Sequence, residues 1–92
     1  MVTTTRWDIT EHLGTDEKIA AYLEAVFEDG DAAEIRDAIG NVARAKGMTD
    51  VATKAGITRA GLYKALAENG NPSFETVLSV MRALGVRLAV AA

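Results

Sequence analysis

Residues that start and stop helices divide this chain into five amphipathic segments, and this constrains the fold more than any other feature. Four segments follow a side chain that can accept a hydrogen bond from N–H groups of the first helical turn; these side chains belong to Thr15, Asp31, Thr58 and Ser73. Glu34 follows Asp31 by three residues, which is the pattern of a capping box. Apolar residues recur at helical spacing after each start. The pattern predicts an all-α fold.

The predicted helices end at glycines or at a loop. The spacing predicts helices over about residues 15–29, 31–46, 49–55, 58–67 and 73–84. Their apolar stripes place Phe27, Phe74 and Met81 in the core. The tail from Val86 to Val90 alternates apolar and other residues with period two, so at most one short C-terminal strand is predicted.

The charge of the chain is divided unevenly along its length. Residues 1–35 hold nine acidic and two basic side chains, whereas residues 36–92 hold four acidic and eight basic ones. Such asymmetry suggests two surfaces with different partners: the basic part could meet phosphates, and the acidic part could meet a cationic partner or only water. With 92 residues in one compact unit, we expect an acidic leader and helix over 1–30 and a DNA-binding domain over 31–92.

The residue types argue against an enzyme, a metal centre and a cofactor. Cysteine is absent and His12 is the single histidine, so the usual metal-ligand patterns are missing. We do not expect Glu24, Glu28 and Glu34 to act as paired catalytic carboxylates. No run reaches the roughly 18 apolar residues that a membrane span needs, and the N-terminus lacks a signal-peptide pattern. We therefore expect a cytoplasmic protein that binds no membrane.

The stretch MTDVATKAGITRAGLYKAL, residues 48–66, has the pattern of a helix-turn-helix. Gly56 suits a tight turn between crossed helices, and Ala52 is small where the helices would touch. Ile57, Leu62 and Leu66 would anchor the second helix in the core. The outer face of that helix is then formed by Thr58, Arg59, Ala60, Tyr63 and Lys64.

The N-terminal part of such a second helix enters the DNA major groove. Arg59 could read a guanine edge, while Tyr63 and Lys64 are better placed for phosphates and Thr58 could do either. The alternative is an ordinary helical hairpin with a solvated arginine and lysine.

Longer sequence segments resemble the Xre/Cro family of helix-turn-helix domains and, within it, HigA-type addiction module antidote proteins. The resembling segments are EKIAAYLEAVFEDGDAAEIRDAIG, ARAKGMT, AGITRAGLYKAL, GNPSF and TVLSVMRALGVRL. The resemblance implies an antitoxin that neutralises a toxin of the RelE/ParE superfamily encoded beside it. It also implies a dimer that binds its own operator DNA and represses the operon. Carried over by position, the outer-face residues of the second helix are the DNA-facing set.

One departure from typical phage-repressor relatives affects the first helix of the motif. That helix, predicted from Thr49 to Ala55, is about two residues shorter, and Asp50 follows Thr49 where the relatives often place a phosphate-binding glutamine. Backbone N–H groups near Asn71 and Ser73, at the start of the next helix, could contact a phosphate instead.

The acidic leader contains three apolar residues that could anchor a toxin, Trp7, Ile9 and Leu13. Tryptophan is enriched at binding hot spots. The alternative is that Trp7 closes over the core of the first helices. If the leader binds the toxin, a chain lacking residues 1–30 keeps the helix-turn-helix and loses neutralisation.

Two other functions remain open from the sequence. A stand-alone repressor would keep the basic face and have no toxin partner, and a toxin-neutralising protein could lack useful DNA binding. We expect a homodimer because one short helix contacts too few base pairs for useful specificity. The face of Val86, Leu88 and Val90 could pair with its copy across the dimer.

Overall fold

Five helices form within residues 14–91, the part of the chain that the computed structural model describes. They are α1 (Asp16–Asp29), α2 (Ala32–Lys46), α3 (Met48–Ala55), α4 (Arg59–Ala65) and α5 (Phe74–Ala83). These described residues include no strand. The predicted all-α, five-helix architecture is confirmed.

The predicted N-caps are formed. The Thr15 hydroxyl accepts a hydrogen bond from the Lys18 N–H at 3.2 Å. The capping box is complete, because the Glu34 N–H donates to Asp31 Oδ1 at 2.9 Å and the Asp31 N–H donates to Glu34 Oε1 at 3.2 Å. Each cap satisfies donors that the first helical turn would otherwise leave without a partner. The starts of α1 and α2 are therefore set by local sequence.

Two helix boundaries differ from the prediction. Helix α3 begins at Met48 rather than Thr49, because the Met48 side chain is buried and Gly47, at φ 102°, ends α2 and starts α3 directly. Helix α4 ends at Ala65 rather than near Ala67. The chain then turns, and the Gly70 N–H donates to the Ala67 carbonyl at 2.7 Å.

One hydrophobic core draws on all five helices. Helix α1 packs chiefly on α2, while α3 packs on α5 and also contacts α2 and α4. The buried side chains are Ile19, Leu23, Ala38, Ile39, Val42, Ala43, Met48, Val51, Ala52, Leu62, Leu66, Val80, Met81 and Leu84. Because Ile19 and Leu23 belong to the same cluster as the rest, α1 contributes to the core of the whole molecule.

The prediction for Met81 as a core residue is confirmed, whereas the predictions for Phe27 and Phe74 are wrong. Phe27 is 36% exposed and Phe74 is 70% exposed. Phe74 occupies the first position of α5, ahead of the turn that enters the core. Phe27 lies in the last turn of α1, where, among the described residues, the C-terminal tail stands opposite and leaves a groove open.

The C-terminal tail, residues 86–91, is irregular and not a strand. A strand needs a neighbouring strand to receive its backbone hydrogen bonds, and residues 14–91 offer none within the chain. The Val86 N–H instead donates to the Met81 carbonyl at 3.0 Å, which fixes the start of the tail against α5. Beyond that point Leu88 and Val90 are exposed.

Candidate nucleic-acid interface

The turn between α3 and α4 has the geometry that the sequence predicts. Gly56 adopts a left-handed conformation, φ 74° and ψ 27°, which costs other residue types roughly 1–2 kcal/mol. Its N–H donates to the Thr53 carbonyl at 3.2 Å, and the Ile57 N–H donates to the Ala52 carbonyl at 3.0 Å. These bonds satisfy the last carbonyls of α3 and reverse the chain tightly.

Core contacts then fix the orientation of α4 against α3. Ala52, Leu62 and Leu66 are buried, as predicted for the touching point and the anchors, and Ile57 is half-buried. All five predicted DNA-facing side chains are exposed; these are Thr58, Arg59, Ala60, Tyr63 and Lys64. The structure thus places the predicted set together on one short helix and its N-cap.

The first turn of α4 is built by Thr58 and Gly61. The Gly61 N–H donates to the Thr58 hydroxyl oxygen at 2.9 Å. A Cβ atom at position 61 would lie 3.0 Å from that oxygen, so a larger residue would press on the cap. Gly61 was not among the residues predicted from the sequence, although its position three residues after a capping threonine was a usable signal.

Arg59 and Tyr63 form a pair on the exposed face of α4. The guanidinium carbon of Arg59 lies 5.4 Å from the centre of the Tyr63 ring, and Arg59 Nη2 donates to Tyr63 Oη at 3.3 Å. A cation over an aromatic ring at this distance is attracted by the ring quadrupole. The contact restrains the arginine side chain above α4.

The basic side chains of residues 36–91 differ in whether a nearby acidic side chain neutralises them. Lys54 on α3 is held at 3.0 Å by Asp50, one helical turn earlier, so its charge is partly offset. Arg36 is similarly paired with Asp37 at 3.1 Å. Among residues 14–91, Arg59 and Lys64 take part in no ion pair. Helix α4 therefore presents two cationic side chains that are exposed and not neutralised by a neighbouring acid.

The loop before α5 carries the other two predicted phosphate-contacting positions, Asn71 and Ser73, both exposed. Ser73 caps α5: its hydroxyl oxygen accepts from the Thr76 N–H at 3.1 Å and its hydroxyl donates to Thr76 Oγ1 at 3.0 Å. The serine side chain is thus occupied, which leaves backbone N–H groups as the means of contact that the sequence predicts.

The residue that positions this loop was not predicted from the sequence. Arg36 on α2, whose side chain is only 14% exposed, donates from Nη1 to the Gly70 carbonyl at 3.2 Å. A Cβ atom at position 70 would clash with the backbone carbonyls of Lys64 and Ala65. The close approach at Gly70 and the Arg36 bond together hold the loop against the end of α4. The partners lie 34 residues apart, so local sequence carried no signal for the contact.

The predicted toxin anchors Trp7, Ile9 and Leu13 lie outside the described residues. Within the described part, no group of three histidine, cysteine or acidic side chains could hold a metal ion. No described helix has the length and apolarity to cross a membrane.

The buried anchors, the glycine turn and the exposed second helix define, over the described residues, an all-helical domain of the helix-turn-helix-like class. Residues 3–92 match the model of a protein family described as "Probable addiction module antidote protein". The chain belongs to this family. The family assignment supports an antitoxin role.

A relative from Haemophilus influenzae, strain Rd, is 44% identical over 84 residues, which cover 91% of this chain and 87% of the relative. That relative is described only as an uncharacterized protein. No solved structure matches the chain.

Proposed function

We propose that this protein is the antitoxin of a type II toxin–antitoxin module. It neutralises a toxin of the RelE/ParE superfamily and represses its own operon by sequence-specific binding to operator DNA. The toxin partner is supported by the family, whose members are described as antidotes. The observation that carries the DNA-binding part is the exposed pair of unneutralised cations, Arg59 and Lys64, on the second helix of the helix-turn-helix.

Each exposed side chain of α4, together with the N-cap residue Thr58, has a proposed contact with DNA. Arg59 donates to the N7 and O6 acceptors of a guanine, and the Tyr63 ring beside it reduces the freedom that the arginine loses on binding. The Ala60 methyl contacts a thymine methyl. Lys64 and the Tyr63 hydroxyl contact phosphates. Thr58 keeps the helix start in place, and its hydroxyl can donate to a base edge or to a phosphate.

The loop at the start of α5 supplies the second point of attachment. Backbone N–H groups near Asn71 and Ser73 donate to a phosphate, aided by the positive end of the α5 dipole. Arg36 acts through Gly70 to hold this loop at a constant distance from α4. Phosphate contacts of this kind fix the register of a protein on DNA, while base contacts select the sequence.

Operator recognition requires two copies of the chain. Helix α4 has seven residues, too few to read a long site alone. The described part of the molecule measures 39 × 34 × 25 Å. Two copies that place their reading helices one DNA turn apart, roughly 34–36 Å, would contact both halves of a palindromic site. We propose a homodimer that binds a palindromic site.

The test of DNA binding uses the segment upstream of the gene and three single substitutions. Arg59→Ala is expected to weaken binding by ~1–3 kcal/mol and to relax base preference at one position. Lys64→Ala is expected to weaken binding to all sequences and to reduce the salt dependence, because one phosphate contact is lost. Lys18→Ala, which removes an exposed lysine on α1, serves as the matched control and is expected to change neither.

Unchanged affinity of both α4 variants at fixed salt would show that α4 is not the reading helix. Light scattering at micromolar concentration, with and without operator, tests the dimer, and a monomer in both conditions would contradict it. Co-expression with the product of the adjacent reading frame tests neutralisation. Operator binding without rescue of growth would favour a stand-alone repressor, and rescue without operator binding would favour a pure toxin neutraliser.

A further inference from the structure

An open groove of about 360 Å³ runs between α1 and the C-terminal tail, on a surface that the DNA-binding proposal does not use. One wall is formed by Ala20, Leu23 and Phe27 of α1, and Met81 of α5 also lines it. The other wall is formed by the tail, residues 86–91.

Bulky apolar side chains on both walls are accessible to solvent. Phe27 is 36% exposed, Leu88 is 43% exposed and Val90 is fully exposed. Apolar side chains gathered on two facing walls and bordered by charged residues offer a partner a contact area that singly scattered apolar residues do not.

The charges along the α1 wall are of one sign. Glu24 lines the groove, and Glu17 and Glu28 stand seven residues before it and four residues after it, on the same edge of the helix. All three side chains are exposed. Among the residues that line the groove, Arg87 on the opposite wall is the only cationic one. The groove is therefore apolar inside and acidic along its α1 edge.

We infer that this groove binds a segment of a partner protein that is apolar on one side and cationic on the other. The segment places apolar side chains between Phe27 and Leu88 and directs its cations toward Glu17, Glu24 and Glu28. Arg87 sets the orientation of the bound segment, because it repels the cations of that segment from the tail wall. The inference rests on the proposed function, because the partner would be the neutralised toxin.

Charge complementarity favours this occupant over a second copy of the chain. A second copy would bring its own row of three glutamates and, from the groove lining, only Arg87 to balance them. Like charges placed together at an interface are costly, whereas complementary charges speed encounter and fix register. A basic partner removes the repulsion and covers the exposed apolar side chains.

Two pairs of matched substitutions in the full-length chain test the site. Glu24→Lys reverses a charge in the groove, and Glu68→Lys makes the same change at an exposed turn after α4. Phe27→Ala removes an aromatic ring from the groove, and Phe74→Ala removes one from the more exposed position at the start of α5. The probe is the purified product of the adjacent reading frame, and affinity is measured by calorimetry at low and high salt. Thermal unfolding of each variant is the folding control.

The groove variants, Glu24→Lys and Phe27→Ala, are each expected to weaken binding of the probe by about tenfold or more, while Glu68→Lys and Phe74→Ala leave it nearly unchanged. The effect of Glu24→Lys should shrink at high salt, since its charge is exposed, and that of Phe27→Ala should persist. If Phe27→Ala fails to fold, Leu88→Ala on the opposite wall replaces it with the same expected loss.

Wild-type affinity in both groove variants would overturn the inference and leave the proposed function intact. Conversion of a dimer to a monomer by Phe27→Ala, with probe affinity unchanged, would also overturn it by assigning the groove to a second copy. Failure of the wild-type protein to bind the probe would overturn the proposed toxin partner and this inference together.

Discussion

Helices α1 and α4 are both held by a few buried side chains, yet they present opposite chemistry to solvent. Helix α1 buries Ile19 and Leu23 and exposes five acidic side chains against one lysine. Helix α4 buries Leu62 and has no acidic residue. Because burial uses only one stripe of each helix, the outer faces are free to diverge. One small core therefore supports two surfaces suited to different partners.

The packing order keeps these two surfaces apart. Helix α1 packs chiefly on α2, whereas α4 packs on α3. Phosphates repel an acidic surface. DNA binding at α4 is therefore favoured because the acidic side chains lie on α1, which packs chiefly on α2. The comparison predicts that the surfaces can be altered independently, although the core beneath them is shared.

The largest expected effect comes from removing α1. Deletion of residues 1–30 should lower the free energy of unfolding by ~3–6 kcal/mol relative to deletion of residues 1–13, because two fully buried side chains, Ile19 and Leu23, are lost. Urea unfolding of both truncated chains measures the difference. Equal stability would contradict the shared core and would support the division at residue 30 that the sequence predicts. The shorter deletion also tests Trp7, Ile9 and Leu13 as toxin anchors without removing α1.

A smaller effect is expected from removing one helix cap in each region. Thr58→Ala should cost ~1 kcal/mol of stability and weaken operator binding, because the Thr58 hydroxyl organises the first turn of α4. Thr15→Ala makes the same chemical change at the start of α1, where the Lys18 N–H loses its acceptor. It should cost similar stability and leave operator affinity unchanged. Thermal unfolding and operator titration of the two variants measure these effects. Equal losses of operator affinity would contradict the expected difference between α4 and α1.

The smallest effect is expected from the ion pair that joins α1 to the end of α2. Lys46 Nζ lies 3.1 Å from Asp16 Oδ1, and the Asp16 side chain is 84% exposed. A double-mutant cycle with Asp16→Ala and Lys46→Ala should give a coupling of ~0.2–1 kcal/mol that decreases with salt. A coupling well above ~1 kcal/mol would contradict the weak contribution expected of an exposed ion pair.

Local sequence determined the helices, their caps and the helix-turn-helix turn. Each cap joins residues three apart, as between Thr58 and Gly61, and the Gly56 turn depends on the conformation of one residue. Such features need no knowledge of the rest of the fold, because the interacting groups are already neighbours along the chain. The exposed set on α4 followed for the same reason, since helical spacing assigns a face to each residue.

The tertiary structure determined which element, if any, packs against each apolar face. The stripe of α1 predicted a buried Phe27, but within residues 14–91 the tail lies across from it and a groove remains. Alternation in the tail suggested a strand, but the described part of the chain offers it no neighbouring strand. The Arg36 bond to Gly70 and the burial of Ile19 and Leu23 in the common core depend on elements far apart in sequence. Periodicity specifies which side of an element is apolar, whereas the presence of a covering element depends on how the whole chain packs.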